Sequence, residues 1–217
     1  MTNCLARWMP AARWISVVLS PLTLPILGTL TVLFWGQSAE VVLARRVYAG
    51  ILLLTVAVFT LMFPFLTLLA ARWLGLVGSF DLSRPSERPL MYLAGMIYMA
   101  FSVRYLIQLP LLAPVFPASG LGGVCVLAVC MMINFGFKIS VHGASAGALV
   151  ALFLFAGHVT ATDFTIPLSI ASLAGGLIGF SRLLLGAHRP YQYYLGWICG
   201  LAAQWIGMIV YYKTAVL

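Results

Sequence analysis

The chain has 217 residues, of which 63% are hydrophobic and 7% are charged. An ordinary soluble domain carries about 25% charged residues, so this composition excludes a soluble globular protein and predicts an integral membrane protein. The formal charge of +8 comes from Lys and Arg residues at the ends of apolar runs, a pattern that favours anionic lipid headgroups and argues against nucleic acid as a partner.

Long apolar runs predict an all-α fold, a polytopic transmembrane helix bundle of about six to seven spans, because about 20 apolar residues cross a hydrocarbon core. The runs lie, in chain order, at residues 16–35, 49–72, 90–109, 120–137, 143–159, 164–184 and 191–211. Together they form a single integral membrane domain over residues 1–217, with no room for a soluble module.

The first run has two distinctive features. Arg7 and Arg13 precede it, as basic residues precede a signal peptide. However, the run is longer than the apolar region of a signal peptide and ends without a small-residue cleavage site, so we expect a retained first span. Pro21 and Pro25 lie within the run and predict a kink.

The polar residues that remain concentrate in three stretches between predicted spans. These are DLSRPSERP at residues 81–89, KISVHGASAG at residues 138–147 and SRLLLGAHRPYQ at residues 181–192. Two spans separate each stretch from the next, so all three are predicted to lie at one membrane face, the face of the N-terminus. Because ionisable residues are costly in a membrane, their concentration predicts a functional site.

A site built from these stretches would contain two histidines, His142 and His188, and only Asp81 and Glu87 as acids. Its cations would be Arg84, Arg88, Lys138, Arg182 and Arg189. Cations partly removed from water need an anionic ligand, and guanidinium groups match phosphate oxygens. The pattern predicts a phosphate site in which one histidine attacks phosphorus and the other protonates the leaving oxygen.

No metal or other cofactor is expected. The fixed cations can stabilise the charge on the phosphoryl oxygens themselves, and paired carboxylates are nearly absent. The four cysteines form no CxxC pair and predict neither a zinc site nor a disulfide framework; they are Cys4, Cys125, Cys130 and Cys199.

The third stretch resembles the last signature of the type 2 phosphatidic acid phosphatase superfamily, SRxxxxxHxxxD. Ser181, Arg182 and His188 stand at the matching spacing, and Gln192 stands where the family usually has Asp. A neutral Gln can accept the ring N–H of His188 and fix its tautomer without supplying negative charge. The difference implies slower activity, a shifted pH dependence, or phosphate binding without turnover.

The other two stretches resemble the remaining signatures of this family in part. The second matches PSGH at Ser140 and His142, and the first matches KxxxxxxRP at Arg88 and Pro89 but has Asp81 at the Lys position. The signatures occur in the family's order, so the resemblance covers a motif-bearing core of about residues 81–192.

The resemblance implies a membrane lipid phosphatase that hydrolyses a phospholipid or isoprenoid phosphate or diphosphate through a phosphohistidine intermediate. His188 would be the nucleophile and His142 the acid for the leaving group. The implied phosphate ligands are Arg88, Ser140, Ser181 and Arg182. Arg84 and Lys138 match no family position, but either could replace the missing Lys charge because of its proximity in the chain.

Two other functions stay open. A lipid phosphotransferase would use the same residues but pass the phosphoryl group to a second lipid. A non-catalytic transporter or binding protein for anionic lipids would need only the cations, although the chain lacks the internal repeat that is common in transporters.

The location of the site follows from the distribution of Lys and Arg. Eight of these residues fall on the predicted site side and four on the other side, which favours a cytoplasmic site in the cell membrane. Five of the eight, however, belong to the predicted site itself. The sequence does not indicate the oligomeric state.

Overall fold

A computed structural model of the chain describes residues 7–82 and 84–215, so Cys4 lies outside the described residues. Within these ranges all regular structure is helical, which confirms the predicted all-α fold. The eight main helices are α1 (Met9–Val18), α2 (Leu24–Trp35), α3 (Ala39–Trp73), α4 (Arg88–Leu106), α5 (Val115–Asn134), α6 (Val141–Thr160), α7 (Thr165–Leu184) and α8 (Pro190–Ala215). A π-helical turn at Val58–Met62 interrupts α3.

Five helices are long and apolar enough to cross a membrane, namely α3, α5, α6, α7 and α8. Helices satisfy their own backbone hydrogen bonds, as hydrocarbon surroundings require. The chain is therefore an integral membrane protein. The predicted number of about six to seven spans is not confirmed.

The first predicted span is divided into two helices. Helix α1 ends at Val18 and α2 begins at Leu24, with a turn containing Pro21 between them. Proline removes a backbone donor and clashes with the preceding turn, so it breaks the helix where we predicted only a kink. With 12 residues, α2 is about 18 Å long, which is shorter than a hydrocarbon core of about 30 Å.

Helix α4 covers the third predicted span but is not among the five. It has 19 residues, which is nearly the length needed to cross a membrane. Arg104 near its end and the tyrosines Tyr92, Tyr98 and Tyr105 lower its mean hydropathy. These side chains explain why α4, despite its length, is not among the helices that are apolar enough to cross a membrane.

Helices α6 and α8 pack closely together along small residues. Gly143 and Gly147 of α6 face the backbone of α8, and Gly196 and Gly200 of α8 face the backbone of α6. A Cβ atom at any of these positions would collide with the facing main chain. Small residues at this spacing let helix backbones approach each other.

The junctions between helices collect at two ends of the bundle. At one end Tyr48 donates a hydrogen bond to the carbonyl of Pro110 at 2.8 Å. At the same end the backbone N–H of Gln37 donates to the hydroxyl of Thr162 at 3.1 Å. The three polar stretches lie at the other end.

Candidate functional site

Hydrogen bonds join the three polar stretches at one end of the bundle. Arg88, at the start of α4, donates from Nη1 to the carbonyl of Ile139 at 2.9 Å. The backbone N–H of Ser140, before α6, donates to the carbonyl of Gln192 at 3.2 Å. The close packing of α6 on α8 makes the second bond possible, because it holds the first turns of both helices together.

A cavity of about 540 Å³ lies at this junction and extends into the bundle. The predicted acid Asp81 lines its polar end, together with four of the predicted basic residues: Arg88, His142, Arg182 and His188. We call these four residues the cationic site. The rest of the cavity is mainly apolar and is lined by side chains such as Leu24, Phe59, Met91, Leu127, Leu149 and Leu152.

The cavity reaches far from the cationic site. Its lining includes Gln204 of α8 and Ser119 of α5, and Gln204 donates to the carbonyl of Ser119 at 3.0 Å. Gln204 lies about 21 Å of helix from the start of α8, at 1.5 Å per residue. The polar end therefore opens into a long apolar space inside the bundle.

Arg88 is buried with neutral partners. The residue is 5% exposed. Besides its bond to Ile139, it donates from Nε to the carbonyl of Leu82 at 2.9 Å. These carbonyl oxygens are neutral acceptors, and within residues 7–82 and 84–215 no carboxylate pairs with the positive charge of Arg88. Such a guanidinium favours an anionic ligand in the adjoining cavity.

Arg182, the third-last residue of α7, is also 5% exposed. Its Nη1 donates to the hydroxyl of Ser16 at 2.7 Å and lies 3.9 Å from Oδ1 of Asp81. Because the Asp81 side chain is 77% exposed, water screens this ion pair and weakens it. Nε of Arg182 is buried and has no hydrogen-bond partner within residues 7–82 and 84–215.

His188 lies in the connection between α7 and α8 and is buried. Burial, together with the nearby charges of Arg182, Arg88 and Lys138, lowers the pKa of His188 to about 4, against an opposing interaction with Gln192. Its Nδ1 atom is buried without a hydrogen-bond partner in the described part of the chain. The ring is therefore neutral at pH 7 and keeps a lone pair for nucleophilic attack.

His142 lies in the first turn of α6, and its Nε2 is 3.1 Å from the carbonyl oxygen of Ser16. A carbonyl can only accept, so Nε2 carries the hydrogen in this bond. The Ser16 hydroxyl is 3.4 Å from the same nitrogen. One imidazole of the cationic site is thus a donor, and the other has a ring nitrogen, Nδ1, without a partner among the described residues.

The predicted serine ligands are turned away from the cavity and toward helix backbone. Ser140 is the N-cap of α6, and its hydroxyl accepts from the N–H of Gly143 at 3.3 Å. The Ser181 hydroxyl donates to the carbonyl of Ile178 at 2.8 Å. Both residues are fully buried, and neither lines the cavity. They hold their helices in position beside the site.

Arg84 and Lys138 flank the site without lining the cavity. Arg84 is exposed before the short turn Pro85–Glu87. Partial burial and the charges of Arg88 and Arg182 lower the pKa of Lys138. The effect of these two arginines means that Lys138 adds to the positive potential of the cationic site.

Gln192 has a local structural role that the sequence pattern did not reveal. Its Oε1 accepts a hydrogen bond from the backbone N–H of Arg189 at 3.0 Å. Arg189 directly precedes Pro190, the first residue of α8, and Gln192 is the third residue of the helix. In a capping box, the side chain of the third helical residue accepts from the backbone N–H of the residue before the helix, as Gln192 does here. The oxygen that we expected to accept the ring N–H of His188 therefore already has a backbone donor.

Ser16 is the site residue that sequence reasoning missed. It is buried near the end of α1 and contacts both Arg182 and His142. In the sequence it is a single serine at the edge of an apolar run, a position with no functional pattern. Only the packing of α1 against α7 brings it to the site.

The site as a whole offers two buried guanidiniums, a donor imidazole and a neutral imidazole around one end of an apolar cavity. Such a set can bind a tetrahedral oxyanion through several charge-assisted hydrogen bonds. Within the described residues, no group of three His, Cys, Asp or Glu side chains could hold a metal ion. Comparison of the chain with protein family models, curated proteins and solved structures gave no match.

Proposed function

We propose that this protein is a membrane lipid phosphatase, which hydrolyses the phosphate or diphosphate of a phospholipid or an isoprenoid. The observation that carries this proposal is the position of two buried arginines and two histidines at the polar end of an apolar cavity within a membrane helix bundle. A phosphorylated lipid has the same division into a charged end and an apolar end.

The phosphate group adds negative charge to a site in which two buried guanidiniums face one exposed acid, Asp81, among the described residues. Arg88 is bonded to carbonyl oxygens, and the nearest acid to Arg182 is the exposed Asp81. Guanidinium forks bind phosphate oxygens with matching geometry, and the exchange of neutral for charged acceptors roughly doubles the strength of such hydrogen bonds. Lys138 contributes further positive potential from the side.

The tail of the lipid occupies the apolar part of the cavity. A volume of about 540 Å³ lies within the range of about 300–1,000 Å³ that is typical of small-molecule sites. Because the bilayer is already apolar, the tail gains little affinity from entering the bundle. Its role is to hold the phosphorus atom beside the histidines while water stays out of the interior.

The proposed reaction has two steps. A ring nitrogen of His188 attacks phosphorus, the bond from phosphorus to the lipid oxygen breaks, and His142, with both ring nitrogens protonated, donates a proton to that oxygen. Water then attacks the phosphohistidine and gives a proton to His142, which releases inorganic phosphate and restores both histidines. Arg88 and Arg182 stabilise the charge on the phosphoryl oxygens in both steps.

The site is proposed to face the cytoplasm from the cell membrane. Helix α1 lies at the same end as the cationic site, because its Ser16 accepts a hydrogen bond from Arg182. The excess of Lys and Arg at this end follows the rule that basic residues concentrate on the cytoplasmic side. A membrane-impermeant reagent that modifies Trp73→Cys only in permeabilised cells would support this orientation.

Phosphate release from the detergent-purified protein tests the function. The substrates are phospholipid and isoprenoid monophosphates and diphosphates, presented in mixed micelles. We expect wild type to release phosphate from at least one of them and His188→Ala to release none. His158→Ala is the matched control, since His158 is exposed near the opposite end of α6.

The outcomes separate the candidate functions. Equal rates for wild type and His188→Ala would remove the nucleophile assignment. Transfer of labelled phosphate to a second lipid, in place of release to water, would identify a phosphotransferase. Absence of both reactions with every lipid would favour a non-catalytic binding protein or transporter.

A further inference from the structure

Helix α1 is attached to the site by one buried face. Ala12 and Ser16, one helical turn apart, are its buried residues and lie on the side that packs against α7. Trp14 is 71% exposed, and Val17 and Val18 are also exposed. The opposite side of α1 therefore offers apolar side chains to the lipid, as expected of a helix that lies at a membrane interface.

Ser16 presents two oxygen atoms to the cationic site. Its hydroxyl accepts from Nη1 of Arg182 at 2.7 Å. Its carbonyl accepts from Nε2 of His142 at 3.1 Å. These are two of the groups that would bind and protonate a phosphate ester, and Ser16 lines the same cavity.

We propose that Ser16 closes the cationic site and that the phosphate of the ligand displaces it. This inference rests on the proposed function, because it requires the site to bind phosphate. A hydroxyl and a carbonyl are neutral acceptors, whereas phosphate oxygens carry charge and form stronger bonds with guanidinium. Phosphate therefore replaces Ser16 as the hydrogen-bond acceptor, and the end of α1 moves away from Arg182 and His142.

The exchange links binding to proton transfer. While Ser16 is in place, the Nε2 hydrogen of His142 is held by a carbonyl oxygen. When phosphate takes that position, the same hydrogen points at the ligand and becomes available to the leaving oxygen. Ser16 is thus a positioning residue, which keeps the acid occupied until a phosphate group is present.

Binding of orthovanadate, a phosphate analogue, to the detergent-purified full chain tests this inference by titration calorimetry. Ser16→Ala removes the acceptor that competes for Arg182, so vanadate should bind about tenfold more tightly than to wild type. Ser16→Asp places a carboxylate beside Arg182 and should weaken binding by at least about tenfold. Ser16→Thr keeps the hydroxyl and should behave as wild type.

Ser172→Ala is the control, since it removes an exposed hydroxyl that bonds to the carbonyl of Leu168 within α7. Weaker vanadate binding by Ser16→Ala would overturn the inference, because Ser16 would then be a ligand of the bound anion. Equal affinity of wild type, Ser16→Ala and Ser16→Asp would also overturn it. In both cases the proposed function stands.

Two further outcomes separate this inference from the function. If no variant binds vanadate, both the closing role of Ser16 and the phosphatase proposal fail. If vanadate binding follows the expected order but no lipid phosphate is hydrolysed, the closing role stands and the enzymatic proposal fails.

Discussion

Arg88 donates from Nη1 to the backbone carbonyl of Ile139 at 2.9 Å, with both residues buried. This bond connects the start of α4 to the residue just before the N-cap of α6. It gives Arg88 a structural role, in which it holds two polar stretches together, besides the proposed role of binding phosphate. Substitution of Arg88 should therefore affect both stability and binding.

Replacement of Arg88 by lysine separates charge from geometry. Lysine keeps the positive charge but cannot bond both Leu82 and Ile139 as the guanidinium does. A buried carbonyl left without a donor costs about 1–3 kcal/mol, so we expect a lower thermal unfolding midpoint and weaker vanadate binding. Arg104→Lys, exposed near the far end of α4, should change neither. Wild-type behaviour of Arg88→Lys would contradict this role.

Replacement of Gln192 tests the effect of an amide at the position where the resembled signature has Asp. Gln192→Glu adds negative charge beside His188 while keeping the length needed to cap Arg189. A nearby anion favours the protonated ring, so the pKa of His188 should rise above its value of about 4. The acidic limb of the pH–rate profile should move to higher pH, and phosphate release at pH 7 should be preserved or raised.

Gln192→Asp supplies the residue that the resembled signature has at this position. We expect it to preserve or raise the rate of phosphate release, as Gln192→Glu does, because either carboxylate can stabilise a positively charged imidazole. A loss of activity in both variants, with unchanged unfolding temperature, would show that the neutral amide is required.

Protonation of His188 should make stability depend on pH. Its pKa falls from 6.5 in the unfolded chain to about 4 in the fold, so the unfolded chain binds more protons between these values. Stability is therefore fully present above pH 6.5 and decreases as the pH falls toward 4. The thermal midpoint of wild type should drop more between pH 7 and pH 5 than that of His188→Gln. Equal drops would contradict the shifted pKa.

The contact of α6 with α8 should be sensitive to a single methyl group. A Cβ at Gly200 would collide with the backbone of Ala144. Gly200→Ala should therefore separate the two helices, lower the thermal midpoint and reduce vanadate binding. Gly176→Ala is the control, because no atom lies within 4 Å of a Cβ built there. Similar midpoints for both variants would contradict the proposed role of the contact.

Hydrophobic pattern alone located most of the helices. The predicted runs at residues 143–159 and 164–184 differ by only a few residues from α6 and α7. In hydrocarbon the backbone must satisfy its own hydrogen bonds, and a helix does so within a single segment. A long apolar run therefore becomes helical. The prediction that the first run forms a single span was wrong, because Pro21 interrupts the hydrogen-bond pattern of the helix.

The sequence by itself determined the class of protein and the residues in which to look for chemistry. The hydrophobic composition predicted a membrane protein, and the spacing of the polar motifs indicated Arg88, His142, Arg182 and His188 as site residues. Only the tertiary structure decided what those side chains contact. Ser16 meets Arg182 across 166 positions of the chain, and such a contact depends on how α1 packs against α7, which no local pattern encodes.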